Sequence, residues 1–382
     1  MSRLITPRKS VAAAFILNGA LLGCWASRIP DFVDRLSLSE SRLGLLLLLL
    51  GVGALTSFAV AGKLADRHGA FRVTRWLAAF YLLSLVFIGY SETVPMLAAS
   101  LFFFGLTHGG MDVAMNTWAT EVERRLARPV LSSFHAMWSL GAGLGAAGGY
   151  LATSFEAGPG LHFLLSAIVL SAAIMPFLSI EWHSPTRVSL GKEPMFALPS
   201  GGLILVGLMA LGAGLGEGTA VDWSAVYLRD VLEAEADQAT LGFTAFSITM
   251  VIMRLSVDRL ITRLGRVLVA RVSGVFAVVG CLICSATGSW LVALLGFVLM
   301  GIGCAAIFPM SYSRAANDPD VPPGQAIASV ATLGYGALLL GPPAVGFIAE
   351  ASSLRVSFLL VAACSVMIVL FASVLKPSSS QL

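Results

Sequence analysis

Charge is scarce in this chain. Of its 382 residues only 12% are charged and 57% are hydrophobic, where a soluble domain carries roughly 25% charged residues. The mean hydropathy is +0.87. A chain this apolar cannot build a surface that water would wet, so the soluble classes are excluded. The net charge of +3 is too small to suggest a nucleic-acid partner. No Gly-x-x-x-x-Gly-Lys-Ser/Thr occurs, so a phosphate-cradling loop for ATP is missing. Neither His-Glu-x-x-His nor Gly-x-Ser-x-Gly occurs, so hydrolase chemistry has no visible machinery and an enzyme is not expected. No cofactor is expected either. Cysteine is sparse: Cys24, Cys281, Cys284, Cys304 and Cys364 all fall in apolar runs. Cys281 and Cys284 have redox spacing, but no second pair completes a metal site, and buried thiols on one helix face are expected.

Long apolar runs are what the chain has instead. They fall at about 11–31, 42–61, 74–90, 95–117, 130–152, 160–180, 199–220, 239–256, 267–286, 290–312, 326–349 and 355–375. A spanning helix needs about 20 apolar residues, so twelve candidate spans use most of the chain and leave no room for a sizeable soluble domain. Met1–Ser10 is basic and precedes a run too long for a signal peptide, which reads as a retained first helix. With the N-terminus inside, nineteen Lys and Arg residues fall on the inner side and five on the outer. Such an excess marks the cytoplasmic side, so both termini are expected there.

Between the second and third runs lies Gly62-Lys63-Leu64-Ala65-Asp66-Arg67-His68-Gly69-Ala70-Phe71-Arg72. It is short, basic and turn-rich. Its pattern resembles the loop between the second and third helices of the major facilitator superfamily of transporters. Gly62, Leu64, Ala65, Asp66, Arg67 and Gly69 match the family form, whereas Ala70 and Phe71 stand where two basic residues should follow and a basic residue arrives late, at Arg72. A weaker copy, Asp258-Arg259-Leu260-Ile261-Thr262-Arg263-Leu264-Gly265-Arg266, follows 196 positions later, with Arg263 and Gly265 opposite Arg67 and Gly69. The same offset pairs Gly105 with Gly301 and Gly145 with Gly341. The resemblance implies an all-α membrane protein of twelve transmembrane helices in two six-helix, pseudo-symmetric bundles. Residues 1–182 and 199–382 would be the halves and 183–198 a cytoplasmic linker. A substrate site near the midplane between the halves is implied as well, with the two loops as conformational gates.

A charged residue at mid-membrane costs about 2.5–3.5 kcal/mol on insertion scales, so it needs a partner, a cavity or a function. Asp112 is the foremost case, in Gly109-Gly110-Met111-Asp112-Val113-Ala114-Met115-Asn116 of the fourth span. His108 and Asn116 lie one turn either side, on the same helix face. Small residues, a carboxylate and an Asn at this place resemble the fucose-permease-like branch of the superfamily. There the fourth-helix carboxylate is implicated in proton coupling, so the resemblance gives Asp112 that role. The alternative is an Asp bonded permanently to a neighbouring helix. On the fifth span His135 and Trp138 stand where that branch contacts sugar, although they replace amide side chains. A core histidine and a packing Trp are the alternatives.

The seventh span holds Gly214-Leu215-Gly216-Glu217-Gly218-Thr219-Ala220-Val221-Asp222-Trp223-Ser224. Its glycines would let the helix bend, as site-lining helices do. Glu217 is a second proton-coupling candidate. Trp223 could stack on a sugar face or mark the outer interface. Asp222 is expected near the outer mouth with Arg229 and Asp230. On the first span Asn18, Trp25 and Arg28 are solute candidates, though Arg28 could instead pair with Asp31. Gly141, Gly145 and Gly149 form a GxxxGxxxG seam for close helix packing. Gly341-Pro342-Pro343 is expected to kink or hinge the eleventh span. The drug exporters of the superfamily carry Gly-Pro-x-x-Gly-Gly in the fifth helix. Here Gly145-Ala146-Ala147-Gly148-Gly149 lacks the Pro and is one residue short.

These features point to a secondary transporter that moves a small polar, sugar-like solute by proton-coupled symport and alternating access. A monomer in the lipid bilayer of a bacterial inner membrane is expected. A proton-coupled exporter and a non-transporting membrane receptor of the same fold are the alternatives.

Overall fold

Helix α1 (Pro7–Ser27) begins at a proline, which needs no partner for the N–H it lacks, and the Thr6 hydroxyl accepts from the Lys9 amide at 3.4 Å. It breaks at Arg28, and α2 (Ile29–Leu36) opens on Pro30. The computed structural model describes residues 6–126, 130–184, 199–321 and 323–376. Apart from His183 and Ser184, the expected linker therefore lies outside the described residues, as do the side chains of Asp66 and Asp258.

The chain continues through α3 (Glu40–His68), α4 (Ala70–Gly89), α5 (Val94–Leu126), α6 (Leu131–Ser154) and α7 (Pro159–Ile174). Then come α8 (Gly202–Val226), the one-turn α9 (Ala236–Ala239), α10 (Leu241–Leu264), α11 (Arg266–Ala286), α12 (Trp290–Cys304), α13 (Ile307–Ala316), α14 (Pro323–Ala351) and α15 (Leu354–Phe371). No strand occurs among the described residues. Ten helical stretches among them are long and apolar enough to cross a membrane. The remaining two of the twelve expected spans are α7, 16 residues long, and α6, 24 residues long and interrupted by polar side chains. The fold is that of an all-α membrane protein with two six-helix bundles.

The chain divides into two compact units, Met1–Lys192 with Glu235–Thr244, and Glu193–Ala234 with Ala245–Leu382. The expected halves did not anticipate that Glu235–Thr244 groups with the first. In the first unit α1 packs on α6, α3 on α5, and α4 on α5 and α7. In the second, α8 packs on α14 and α15, and α11 on α12 and α15.

Helix α4 shows how the pattern orients side chains. Trp76, Phe80, Leu83 and Phe87 are exposed, at spacings of four, three and four, while Thr74, Ala78, Tyr81, Leu85 and Ile88 are buried. Large apolar side chains on an outer face would be a liability in water, but lipid tails accept them. The buried stripe aims Tyr81 at the interior of the first unit.

Glycine sets the α1–α6 spacing. A Cβ on Gly19 would run into the Trp138 carbonyl, one on Gly23 into that of Ala142, and one on Gly145 into that of Ala20. The seam expected on α6 is therefore matched by a second one on α1. The internal repeat also persists in the backbone. Gly69 has φ 90 and ψ 135, and Gly265 has φ 79 and ψ 154. Each amide bonds back to the preceding helix, to Ala65 at 2.8 Å and Ile261 at 2.9 Å. A side chain on Gly105 would meet the carbonyl of Leu50, and one on Gly301 that of Phe246, both pairs 196 apart. The paired prolines Pro342 and Pro343 lie inside α14.

Arg254, counted by sequence among the inner basic residues, lies inside α10, and its Nη2 stands 3.5 Å from Glu217 of α8.

Candidate functional site

The α1–α6 seam places the side chain next to Gly19, Asn18, within reach of Trp138. Trp138 Nε1 donates to Asn18 Oδ1 at 2.8 Å, and Asn18 Nδ2 donates to the His108 carbonyl at 3.4 Å. Asn18 is fully buried and Trp138 half-buried. The inward stripe of α4 brings Tyr81 to the same place, where its hydroxyl lies 2.9 Å from His108 Nδ1. Residues from α1, α4, α5 and α6 thus form one connected polar group within the first unit. A group like this is stable only when its members satisfy one another.

One turn beyond His108 stands Asp112. Asn116 Nδ2 donates to the Asp112 carbonyl at 2.9 Å and to its Oδ1 at 3.1 Å. Among the described residues no Lys, Arg or His pairs with Asp112. Both Asp112 and Asn116 are partly exposed. The expected face of His108, Asp112 and Asn116 therefore exists, and Asn18 and Trp138 adjoin it through His108. His135, one turn before Trp138, is exposed and sets its ring edge-on to Phe15 at 5.2 Å.

The other candidates make different contacts. Trp25 is fully buried with its ring 5.4 Å from Phe32. Arg28 is 2% exposed and holds Asp31 through two bonds of 2.8 Å, with a third of 2.9 Å to the Ala157 carbonyl. Its guanidinium secures the α1–α2 break, in keeping with the pairing alternative. Trp223 is fully buried in the second unit. Glu217 faces Arg254, and side-chain exposures of 13% and 11% make this a largely buried pair. The charge pair following α8 is Arg229 with Asp230, at 2.5 Å, whereas Asp222 lies two turns earlier within α8. In the two loops Arg67 and Arg263 are exposed, Gly62 is half-buried, Gly69 is buried and Gly265 is exposed.

Sequence reasoning missed Tyr81. Only the outward aromatic stripe of α4, which leaves Tyr81 on the opposite face, could have signalled it.

A family model described as Major Facilitator Superfamily matches residues 11–196 and 203–381. The uncharacterized transporter y4wD of Sinorhizobium fredii is 50% identical over 376 residues, covering 98% of this chain and all of that one. An MFS-type transporter of Yersinia pestis is 32% identical, over 93% of this chain and 92% of its own length. Membrane protein MosC of Rhizobium meliloti is 30% identical over 94% and 88% of the two chains. Among solved structures, a point mutant of the nucleoside transporter NupG superposes with a TM-score of 0.77 at 15% identity, covering 97% of this chain and all of that one. That likeness is one of fold. Matched by the family model across both halves, and half identical to a transporter along its whole length, the chain belongs to the Major Facilitator Superfamily, whose members are membrane transporters and not enzymes.

Proposed function

We propose that this protein is a proton-coupled symporter of a small polar, sugar-like solute, working by alternating access in a bacterial inner membrane with both termini in the cytoplasm. The observation that carries the proposal is Asp112: a carboxylate inside a membrane helix whose side-chain partner, among the described residues, is the amide of Asn116. An unpaired charge there costs about 2.5–3.5 kcal/mol on insertion scales. Binding a proton removes that cost without any rearrangement of a neighbour. Releasing the proton when the site meets the other compartment completes a coupling step. The adjoining group of Asn18, His108, Asn116 and Trp138 offers the donors, acceptors and flat ring that a hydroxyl-rich solute needs, and His135 extends it at an exposed position.

Glu217 serves differently in this reading. Arg254 already balances its charge, so it acts as a structural partner in the second unit. The loops at Gly62, Asp66, Arg67 and Gly69 and at Arg263 and Gly265 act as conformational gates.

Purified protein in proteoliposomes tests the proposal. A thermal-shift screen of monosaccharides, nucleosides and small acids first finds a solute. Adding that solute outside should then alkalinise the external medium as protons enter with it. Acidification would identify an exporter running in reverse, and no proton movement despite binding would identify a receptor. Either result overturns symport.

A further inference from the structure

Helix α4 starts without a cap of its own. Its N-cap residue is Gly69, which has no side chain to offer, and no side-chain cap bond comes from within the loop. The first N–H groups of a helix need partners from outside its own ladder, and Ser or Thr at the N-cap commonly provides one. Here the hydroxyl comes from 113 residues away: the Phe71 amide donates to Ser184 Oγ at 3.1 Å. Ser184 is fixed in turn by Glu121, near the end of α5. Its hydroxyl donates to Glu121 Oε2 at 2.7 Å, and Trp182 Nε1 donates to the same oxygen at 2.8 Å. The Arg125 guanidinium lies over the Trp182 ring at 5.1 Å. Glu121 is 8% exposed. The fit around Gly69 is close, since an added Cβ would stand 3.0 Å from that of Ser184.

We propose that Glu121 is a positioning residue for the α3–α4 loop. Through Ser184 it supplies the missing cap of α4, and so ties the Gly62–Arg72 loop to the chain that leaves the first unit after α7. The carboxylate aims the Ser184 hydrogen at itself. That leaves the oxygen lone pairs of Ser184 for the Phe71 amide, and the Trp182 bond holds the same carboxylate oxygen in place. The second loop has no such device among the described residues. Gly265 also lacks a side-chain cap, and an added Cβ there would meet nothing within 4 Å. The clasp is therefore a property of the first unit, and the loop it holds is the one that carries the family pattern.

Hydrogen–deuterium exchange on the full-length protein in nanodiscs tests this, read at peptides that contain the Phe71 amide. Ser184→Ala and Glu121→Ala should each speed exchange there by roughly two- to tenfold, the scale of one net hydrogen bond. Glu121→Gln keeps an acceptor and Ser184→Thr keeps the hydroxyl, so both should stay within about twofold of the parent on the same scale. Peptides from α1 and from the Gly265 loop should not change. Should Glu121→Ala fail to fold, Trp182→Phe carries the test. It keeps the ring over Arg125 and removes only the N–H, and it should give an intermediate rise confined to the Phe71 peptides. Unchanged exchange in Ser184→Ala overturns the proposal. So does a rise of equal size in α1, which would show general loosening, or a Glu121→Gln variant as fast as Glu121→Ala.

Discussion

Asp112 and Glu217 are acidic side chains on membrane helices of the two different units, and their surroundings differ in kind. Asp112 has an amide beside it and no cation among the described residues, whereas Glu217 has Arg254 at 3.5 Å. A buried ion pair neutralises its own charge, and removing one partner strands the other. A lone carboxylate can be neutralised only by something that arrives, and a proton is the smallest thing that can. The difference shows that intramembrane acids cannot be ranked by depth in the sequence alone. Who stands opposite decides the role, and that is a tertiary fact.

The same contrast extends to the helix seams. Gly145 faces the backbone carbonyl of Ala20, which cannot move aside, while its repeat partner Gly341 meets only the end of the Leu215 side chain, at 2.9 Å. Gly145→Ala should therefore cost more than about 3 kcal/mol, the upper range for overpacking, and show as a large loss of folded yield in size-exclusion profiles. Gly341→Ala should be close to neutral. Equal losses would remove the asymmetry.

Arg254→Ala comes next in size. It strands Glu217 and should lower stability by about 3 kcal/mol, the lower range for breaking a buried pair. The double variant with Glu217→Ala should recover much of the loss in a thermal melt. If the single variant melts like the parent, the pair contributes nothing and Glu217 returns as a proton-coupling candidate.

The loops give a smaller difference. Both Gly69 and Gly265 have positive φ, which strains any residue with a side chain. Gly265→Ala should cost about 1 kcal/mol, from the backbone alone. Gly69→Ala should cost about 2 kcal/mol, because Ser184 stands in the way as well. Melting midpoints of the two variants, compared side by side, would check the order.

A similarly small effect is expected for Trp138→Phe, which keeps the ring and removes the N–H that Asn18 accepts. A loss of about 1 kcal/mol is expected, with weakened solute binding in a thermal-shift titration. Unaltered binding would separate Trp138 from the solute.

Much of this molecule is legible in its sequence for simple reasons. Apolar runs near membrane length announce spans, and a Gly-framed Asp-Arg loop announces the family. The 196-residue offset survives as matched backbone geometry at Gly69 and Gly265. What stays hidden is pairing across helices. Nothing near Glu217 in sequence foretells Arg254, and nothing near His108 foretells Tyr81, because those contacts depend on which face each helix turns inward. Arg28 reads two ways for the same reason: the i,i+3 spacing allows a pair with Asp31, but only the tertiary fold shows that the guanidinium also reaches the Ala157 carbonyl and is buried there.

The proton role of Asp112 is tested most directly by measuring two transport modes on one variant, Asp112→Asn. The amide keeps the shape and the bond to Asn116 but cannot bind and release a proton. In proteoliposomes, uphill uptake driven by a proton gradient should disappear, while counterflow, the exchange of labelled external solute for unlabelled solute inside, continues at close to the parent rate. Equal loss of both modes, or retention of uphill uptake, would contradict the assignment of proton coupling to Asp112.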